Sequence, residues 1–403
     1  MPNLRGQALL VLVAALGYFV DIYDLVLFSV VRISSLQDLG LSGTDLMDKG
    51  VFLLNMQMSG MLVGGIFWGV LGDKKGRLSV LFGSILLYSL ANIANGFVES
   101  VGAYAVWRFI AGIGLAGELG AGITLVTESI PQKSRGYATM IVATVGVSGA
   151  VFAGLLAEYF PWRTNFFVGG ALGLCLLALR LGVHESALYQ KLQTHNFTRS
   201  NFFDLFATRA RLKRYLVCIL IGVPLWYVVG ILITFSPEIA RALQVQGEIA
   251  PGKAILFCYL GLIFGDFASG WISQIWQSRK KAMLLFLLLT TVMVSILFIS
   301  YGIQVSSYYG LCIALGFSSG YWAVFVTIAA EEFGTNFRAT VATTVPNFVR
   351  GMVVPITLLF QYLKPYIGIL SAAALLGFLC LSISFIALIF LPETYHKNMD
   401  FCE

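Results

Sequence analysis

A short set of ionisable residues lies inside long apolar runs of the sequence, where a charge is costly unless it is paired. Asp21 and Asp24 are three positions apart, so on a helix their carboxyl groups lie near one face. Two carboxylates that close cannot both ionise cheaply in apolar surroundings, so we expect the pair to take up and release a proton. A buried arginine has the planar donors that bind a carboxylate or phosphate at two points. The full set is Asp21, Asp24, Arg32, Arg108, Glu118, Asp266 and Arg350.

The apolar runs are long enough to cross a membrane. The chain has 403 residues and is only 11% charged, whereas about 25% is usual for a soluble protein. A bilayer-spanning helix needs about 20 apolar residues. The sequence therefore predicts an all-α membrane protein with twelve spans: 8–34, 48–72, 78–98, 101–128, 136–159, 164–183, 214–240, 252–276, 282–302, 306–330, 338–363 and 366–391.

One long polar stretch separates these spans into two groups of six. We predict an N-terminal six-helix bundle over residues 1–183, a cytoplasmic linker over 184–213 and a C-terminal six-helix bundle over 214–403. The two halves echo each other, because Glu128 precedes Arg135 by the same spacing that separates Glu331 from Arg338. This repeat indicates two pseudo-symmetric halves.

Basic residues are sorted onto alternate loops, which is why the formal charge of +6 does not indicate a nucleic-acid partner. By the positive-inside rule both termini are cytoplasmic. The six cysteines are scattered and the three histidines lie in loops or tails, so we expect neither a disulfide framework nor a metal site, and no cofactor. The compact length and short outer loops favour a bacterial inner membrane. We also expect the protein to function as a monomer.

The turn from Gly69 to Arg77 resembles the Gly-x-x-x-Asp-x-x-Gly-Arg signature of the major facilitator superfamily of membrane transporters. The tetrapeptide from Asp21 to Asp24 resembles a pattern of the organic-acid, aromatic-acid and phosphate proton symporters, and the stretch from Arg350 to Pro355 resembles organic anion transporters. Weaker matches begin at Arg108, at Glu128, at Glu331, where Gly334 replaces a proline, and at Leu391.

The resemblance implies a twelve-helix fold in which two halves open alternately to either side. It gives gating roles to residues at the inner ends of the helices, with a solvated loop charge as the alternative for the turn at 69–77. The gating set is Gly69, Asp73, Arg77, Glu128, Arg135, Glu331 and Arg338.

The same resemblance places Asp24 beside Arg108, and the pair is either a proton switch or a static buried ion pair. Glu118 is either a second protonation or substrate site or a glutamate bonded to neighbouring hydroxyls. Asp266 is either a proton relay or a structural hydrogen-bonding group. Arg350 either binds an anion or forms a structural pair with Asp266 or Glu118.

Polar and aromatic residues of the second half are candidates for a substrate wall, with helix packing or lipid contact as the alternative. They are Trp226, Tyr227, Tyr321, Trp322, Asn347 and Gln361.

We predict a proton-coupled secondary transporter of a small organic anion of carboxylate type. Asp21, Asp24 and Glu118 would carry protons, Arg108 would couple them and Arg350 would bind the anion. The partners are the substrate, protons and the lipid bilayer. The alternatives are a proton-driven exporter of cationic or amphipathic compounds and a ligand sensor of the same fold. An enzyme is disfavoured, because no nucleophile–base or metal cluster is apparent.

Overall fold

The computed structural model describes residues 4–75, 77–118, 132–184, 202–395 and 397, and leaves the side chains at 4–10, 72–79, 132–140, 181–184, 203, 335, 336, 338 and 339 undescribed. Among the predicted gating residues, Glu128 lies outside the described part of the chain. Asp73, Arg77, Arg135 and Arg338 lie on helices, but their side chains are outside the description.

Ten helical stretches of the described residues are long and apolar enough to cross a membrane, and two shorter apolar helices cover Val80–Asn95 and Val101–Leu115. Each predicted span overlaps one of these stretches, and residues 119–128 of the fourth span lie outside the described part of the chain. The all-α membrane fold is confirmed. The N-terminal half contains α1 Leu4–Asp38, α2 Thr44–Lys75, α3 Arg77–Asn95, α4 Val101–Leu115, α5 Gln132–Tyr159 and α6 Trp162–His184.

The C-terminal half begins with a 3₁₀ turn, Phe202–Phe206, and its first long helix starts at Arg209, before the predicted edge at 214. Its helices are α7 Arg209–Tyr227, which continues as a π-helical segment Val228–Ile233, α8 Ser236–Ala242, α9 Pro251–Ile275, α10 Arg279–Ile299, α11 Val305–Ser318, α12 Trp322–Glu332, α13 Thr335–Gly351, α14 Val353–Ile367 and α15 Ile369–Phe390.

Three of the predicted spans are interrupted near the middle of the bundle. The π-helical segment follows Pro224, which lacks the N–H that an α-helix requires. The α11–α12 break occurs at Gly320, whose lack of a side chain lets it lie directly against Gly265 of α9. The α13–α14 break precedes Pro355, which cannot donate to the turn before it. At such a break some backbone N–H and C=O groups lose their helical partners. In membrane proteins this occurs where the backbone is buried in the protein or lines a cavity, which is where ligands bind.

Several contacts join the two halves at the end of the bundle that holds the α1–α2 turn, which we call the outer end after the charge prediction. Thr357 of α14 donates to Asn55 of α2 at 2.6 Å, and Lys364 pairs with Asp48 at 2.9 Å. The outer end is therefore closed by polar contacts between the halves.

Candidate functional site

A buried ion pair between Asp21 of α1 and Arg350 of α13 joins the two halves at the centre of the bundle. The Nη2 of Arg350 lies 3.4 Å from one carboxyl oxygen of Asp21, and both side chains are fully buried. This single contact is long for a charged hydrogen bond. The other Asp21 oxygen and the Nε and Nη1 of Arg350 have no hydrogen-bond partner in the described structure. Arg350 therefore has donors to spare for an anion.

Two tryptophans flank this arginine. The Arg350 guanidinium carbon lies 5.9 Å from the ring centre of Trp226 and 5.7 Å from that of Trp322. The two rings are 6.5 Å apart and meet edge to face. Both indole N–H groups and the Tyr321 hydroxyl are buried without an acceptor among the described residues. Because unpaired buried donors are unfavourable, this part of the bundle suits a ligand that is rich in acceptors and partly apolar.

The other predicted residues of the wall are placed elsewhere or are already paired. The Tyr227 hydroxyl donates to the carbonyl of Ala373 on α15 at 2.7 Å, so Tyr227 packs within its own half. Gln361 reaches the backbone of Asp48 at the outer end, at 3.5 Å. Asn347 bridges the halves, because its amide nitrogen donates to the carbonyl of Ala116 at 2.7 Å, while its own side-chain oxygen has no partner among the described residues.

The expected direct pair between Asp24 and Arg108 is not formed. Arg108 instead donates to the side chain of Gln57, and its guanidinium lies 5.2 Å and 5.7 Å from the ring centres of Phe28 and Phe166. Neither oxygen of Asp24 has a hydrogen-bond partner among the described residues. Gln57 thus accepts from one terminal nitrogen of Arg108, whereas the Nε and Nη1 of Arg108 are buried without a partner among the described residues.

Glu118 forms a two-point ion pair that the sequence did not suggest. Its two carboxyl oxygens accept from both terminal nitrogens of Arg180 on α6, and the Nη1 contact measures 2.9 Å. Both side chains are nearly buried. Gly17 of α1 lies directly against the pair and has no side chain that would displace it. Glu118 is thus bound to an arginine rather than to hydroxyl groups, and Arg350 pairs with neither Glu118 nor Asp266.

Asp266 caps the start of α12. One of its oxygens accepts from the backbone N–H of Ala323 at 3.2 Å, just after the break at Gly320. A carboxylate at a helix N-terminus is favourable, because the first N–H groups lack partners within the helix. Asp266 therefore makes the structural hydrogen bond that was one of its two predicted roles, the other being a proton relay.

At the opposite end of the bundle, Glu331 is held within the C-terminal half. It accepts from Thr394 at 2.6 Å and pairs with Arg279 at 3.3 Å. Next to it, burial would raise the pKa of Glu393, but hydrogen bonds from Ser278 and from backbone N–H groups outweigh burial and hold that pKa below its usual range. These contacts tie the last residues described to the start of α10.

Sequence reasoning missed an ion pair at the outer end. Arg32, one of the ionisable residues inside the predicted apolar runs, is fully buried and pairs with Glu238 of α8 at 2.8 Å. It also donates to the carbonyl of Thr234 at 3.3 Å and lies 4.7 Å from the ring centre of Phe235. The signal was present, since Glu238 and Arg180 both interrupt predicted apolar spans.

The Major Facilitator Superfamily model matches residues 14–354, most of the chain. The chain belongs to the major facilitator superfamily. It is accordingly an integral membrane protein and a transporter of small molecules rather than an enzyme.

Individual superfamily relatives resemble this chain over different lengths. A protein of Haemophilus influenzae named for metabolite transport is 35% identical over 47% of this chain and 47% of its own length. The sialic acid transporter of Escherichia coli is 25% identical over 88% of this chain and 87% of its own. The benzoate transport protein of Acinetobacter baylyi is 27% identical over 44% of this chain and 40% of its own. The chain thus spans about half the length of the first and third of these relatives.

A solved structure of this superfamily has the same fold. The proton:xylose symporter XylE aligns over 98% of both chains with a TM-score of 0.72, at 14% sequence identity. Such a low identity bears on the fold alone.

Proposed function

We propose that this member of the superfamily is a proton-coupled transporter of a small organic anion, a carboxylate, that works by alternating access. The observation that carries the proposal is the buried Asp21–Arg350 contact, which joins the halves at 3.4 Å and leaves two guanidinium nitrogens unpaired. A substrate carboxylate would complete the hydrogen bonds of Arg350, in the planar geometry that favours arginine over lysine.

The surroundings of Arg350 favour an acid with an apolar or aromatic body. Trp226 and Trp322 offer ring faces and edges for that body, and their unpaired indole N–H groups offer donors to its oxygens. Relatives named for sialic acid and for benzoate transport carry substrates with a carboxylate, which agrees with this substrate class.

Proton coupling would act through competition for Arg350. An ionised Asp21 holds the guanidinium, whereas a protonated Asp21 releases it to the substrate. Binding of the anion would thereby be linked to uptake of a proton. Asp24, which lies one helical turn from Asp21, is the further proton carrier of the proposal, and Arg108 is its coupling group. Glu118, which was also expected to carry a proton, is bound at two points by Arg180 and has a structural role in this proposal.

Alternating access needs contacts between the halves that form at one end and break at the other. In the proposal the Arg32–Glu238 pair is the outer gate. Gly69, Asp73, Arg77, Glu128, Arg135, Glu331 and Arg338 form the inner gate.

The remaining parts of the proposal concern location. We infer two six-helix bundles, 1–183 and 214–403, joined by a cytoplasmic linker over 184–213, in a bacterial inner membrane with both termini in the cytoplasm. The protein would act as a monomer.

The deciding experiment measures internal pH in proteoliposomes that contain the purified protein and a pH-sensitive dye. Benzoate, sialic acid, phosphate, amines and sugars are added outside one at a time, at equal external pH. Acidification evoked by a carboxylate, and absent from empty liposomes, supports symport and identifies the substrate class. Flux evoked by amines or amphipathic cations instead would replace this proposal with proton-driven export. Carboxylate uptake without any pH change would remove the proton from the mechanism.

A further inference from the structure

A groove on the outside of the C-terminal half runs between α7 and α15, away from the central site. Its cavity volume is about 390 Å³, which falls in the range of small-molecule sites. Its apolar lining is partly exposed in the middle, where Leu216, Ile383 and Ile386 are 46%, 41% and 55% exposed. In a membrane protein such a face meets lipid chains. The lining is completed by Leu212, Val217, Leu220, Ala387 and Phe390.

One end of the groove is basic. Arg209, in the first turn of α7, is exposed and lines this end of the groove. Lys213 lies one turn further, with its Nζ 4.4 Å above the ring of Phe390. Both cations are at the predicted inner end, so the groove combines an apolar body with a positive rim.

We propose that this groove binds one anionic phospholipid of the inner leaflet. The acyl chain would lie along the apolar walls, and the headgroup phosphate would bind Arg209 and Lys213. The charge of the rim argues for this occupant, because basic residues at the cytoplasmic membrane surface attract anionic lipids, whereas a zwitterionic lipid offers no net charge. The site is independent of the transport proposal, since neither cation contacts the central residues.

Native mass spectrometry tests the site on the full-length protein. The protein is released from bilayers of equal parts phosphatidylglycerol and phosphatidylcholine, and the lipids that stay bound are counted. We expect one retained phosphatidylglycerol, favoured over phosphatidylcholine by at least tenfold. Arg209→Gln with Lys213→Gln should bring that preference close to parity, because each basic residue near the membrane surface contributes about 1 kcal/mol, or about fivefold.

Two further variants separate the site from general charge effects. Arg241→Gln with Lys253→Gln removes the same charge from exposed residues at the outer end and should leave the preference unchanged. Leu216→Trp fills the groove without changing charge, and should displace the lipid while the thermal unfolding temperature stays the same. Equal retention of both lipids by the wild type, or equal loss in the inner-end and outer-end double variants, would overturn the proposal.

Discussion

Two buried carboxylate–arginine pairs in this molecule are built in different ways. Glu118 accepts two hydrogen bonds from the terminal nitrogens of Arg180, and both residues belong to the N-terminal half. Asp21 meets Arg350 at one contact of 3.4 Å, and that contact crosses between the halves. A two-point pair within one bundle moves as a unit with that bundle. A one-point pair between bundles has to break whenever they separate, so it can respond to a substrate or a proton.

The surroundings of the two pairs agree with this difference. Gly17 brings the backbone of α1 directly against the Glu118–Arg180 pair, and the two side chains are only 2% and 8% exposed. Around Arg350, by contrast, two indole N–H groups and the Tyr321 hydroxyl remain without acceptors. Satisfied polar groups fix a structure, whereas unsatisfied ones at a breakable contact indicate a place for a ligand.

The largest effect is expected from removing the partner of the fixed pair. Arg180→Ala leaves the Glu118 carboxylate buried and unpaired, which should destabilise the protein by about 3–5 kcal/mol. The measurement is thermal unfolding of the purified protein in detergent. Replacing both residues, in Glu118→Gln with Arg180→Gln, should restore most of the stability because no charge is left buried. An unchanged unfolding temperature for Arg180→Ala would show that the Glu118–Arg180 pair contributes no more to stability than the Asp21–Arg350 pair.

The second prediction concerns the breakable pair. Arg350→Ala should weaken anion binding at least tenfold, since a charged hydrogen bond contributes about 1.5–3 kcal/mol. Its effect on the unfolding temperature should be smaller than that of Arg180→Ala, because Asp21 loses a single long contact. Binding is followed by quenching of tryptophan fluorescence with benzoate. Arg350→Lys is the control and should recover only part of the affinity, since lysine keeps the charge but not the planar donors. An unaltered dissociation constant for Arg350→Ala would refute the assignment.

The third prediction uses pH to compare the two aspartates of α1. Asp21→Asn resembles the protonated residue and releases Arg350, so the affinity measured at high pH should rise to its low-pH value. The expected gain is about tenfold, equivalent to about 1.4 kcal/mol. Asp24→Asn is the matched control: Asp24 pairs with no arginine in the structure, so binding should keep its pH dependence. Asp24→Asn should nevertheless abolish accumulation of the substrate against its gradient, while exchange of substrate across the membrane continues. A weaker affinity in Asp21→Asn would contradict competition for Arg350.

The fourth prediction extends the comparison to the outer end, where Arg32 and Glu238 form a second pair between the halves. Glu238 is 15% exposed, so the pair is less isolated from water than the central one. Arg32→Gln should shift the equilibrium between the outward-closed and outward-open states toward the open state by about fivefold, or about 1 kcal/mol. The readout is labelling of Ser29→Cys, in a background without native cysteines, by a reagent that does not cross the membrane.

The control for the outer end is an ion pair in which both side chains are exposed. Lys253 and Glu158 are 3.8 Å apart and well solvated, so Glu158→Gln should not change the labelling rate. Equal rates in Arg32→Gln and the parent protein would mean that the Arg32–Glu238 pair does not hold the outer end closed.

The sequence predicted the membrane fold and the buried charges, because both depend only on apolar length and on a charge that interrupts it. Asp21, Asp24, Arg108, Glu118, Asp266 and Arg350 are all buried as expected. It could not predict their partners, because each residue turns a helix by about 100° and a small rotation changes which neighbour a side chain meets. Tyr227 and Trp226 are adjacent in sequence, yet one packs on α15 and the other on Arg350.

The smallest effect is expected from the donors around Arg350. Trp226→Phe and Trp322→Phe keep an aromatic ring but remove one N–H, so each should weaken binding of an aromatic acid by about twofold to tenfold, or about 0.5–1.5 kcal/mol. Replacement by alanine removes the ring as well. Its additional loss should be greater for benzoate than for cyclohexanecarboxylate, because ring pairing adds to burial only when both partners are aromatic. Equal losses for the two acids would mean that the tryptophans supply donors and apolar surface but no aromatic preference, and the substrate class would widen to carboxylates in general.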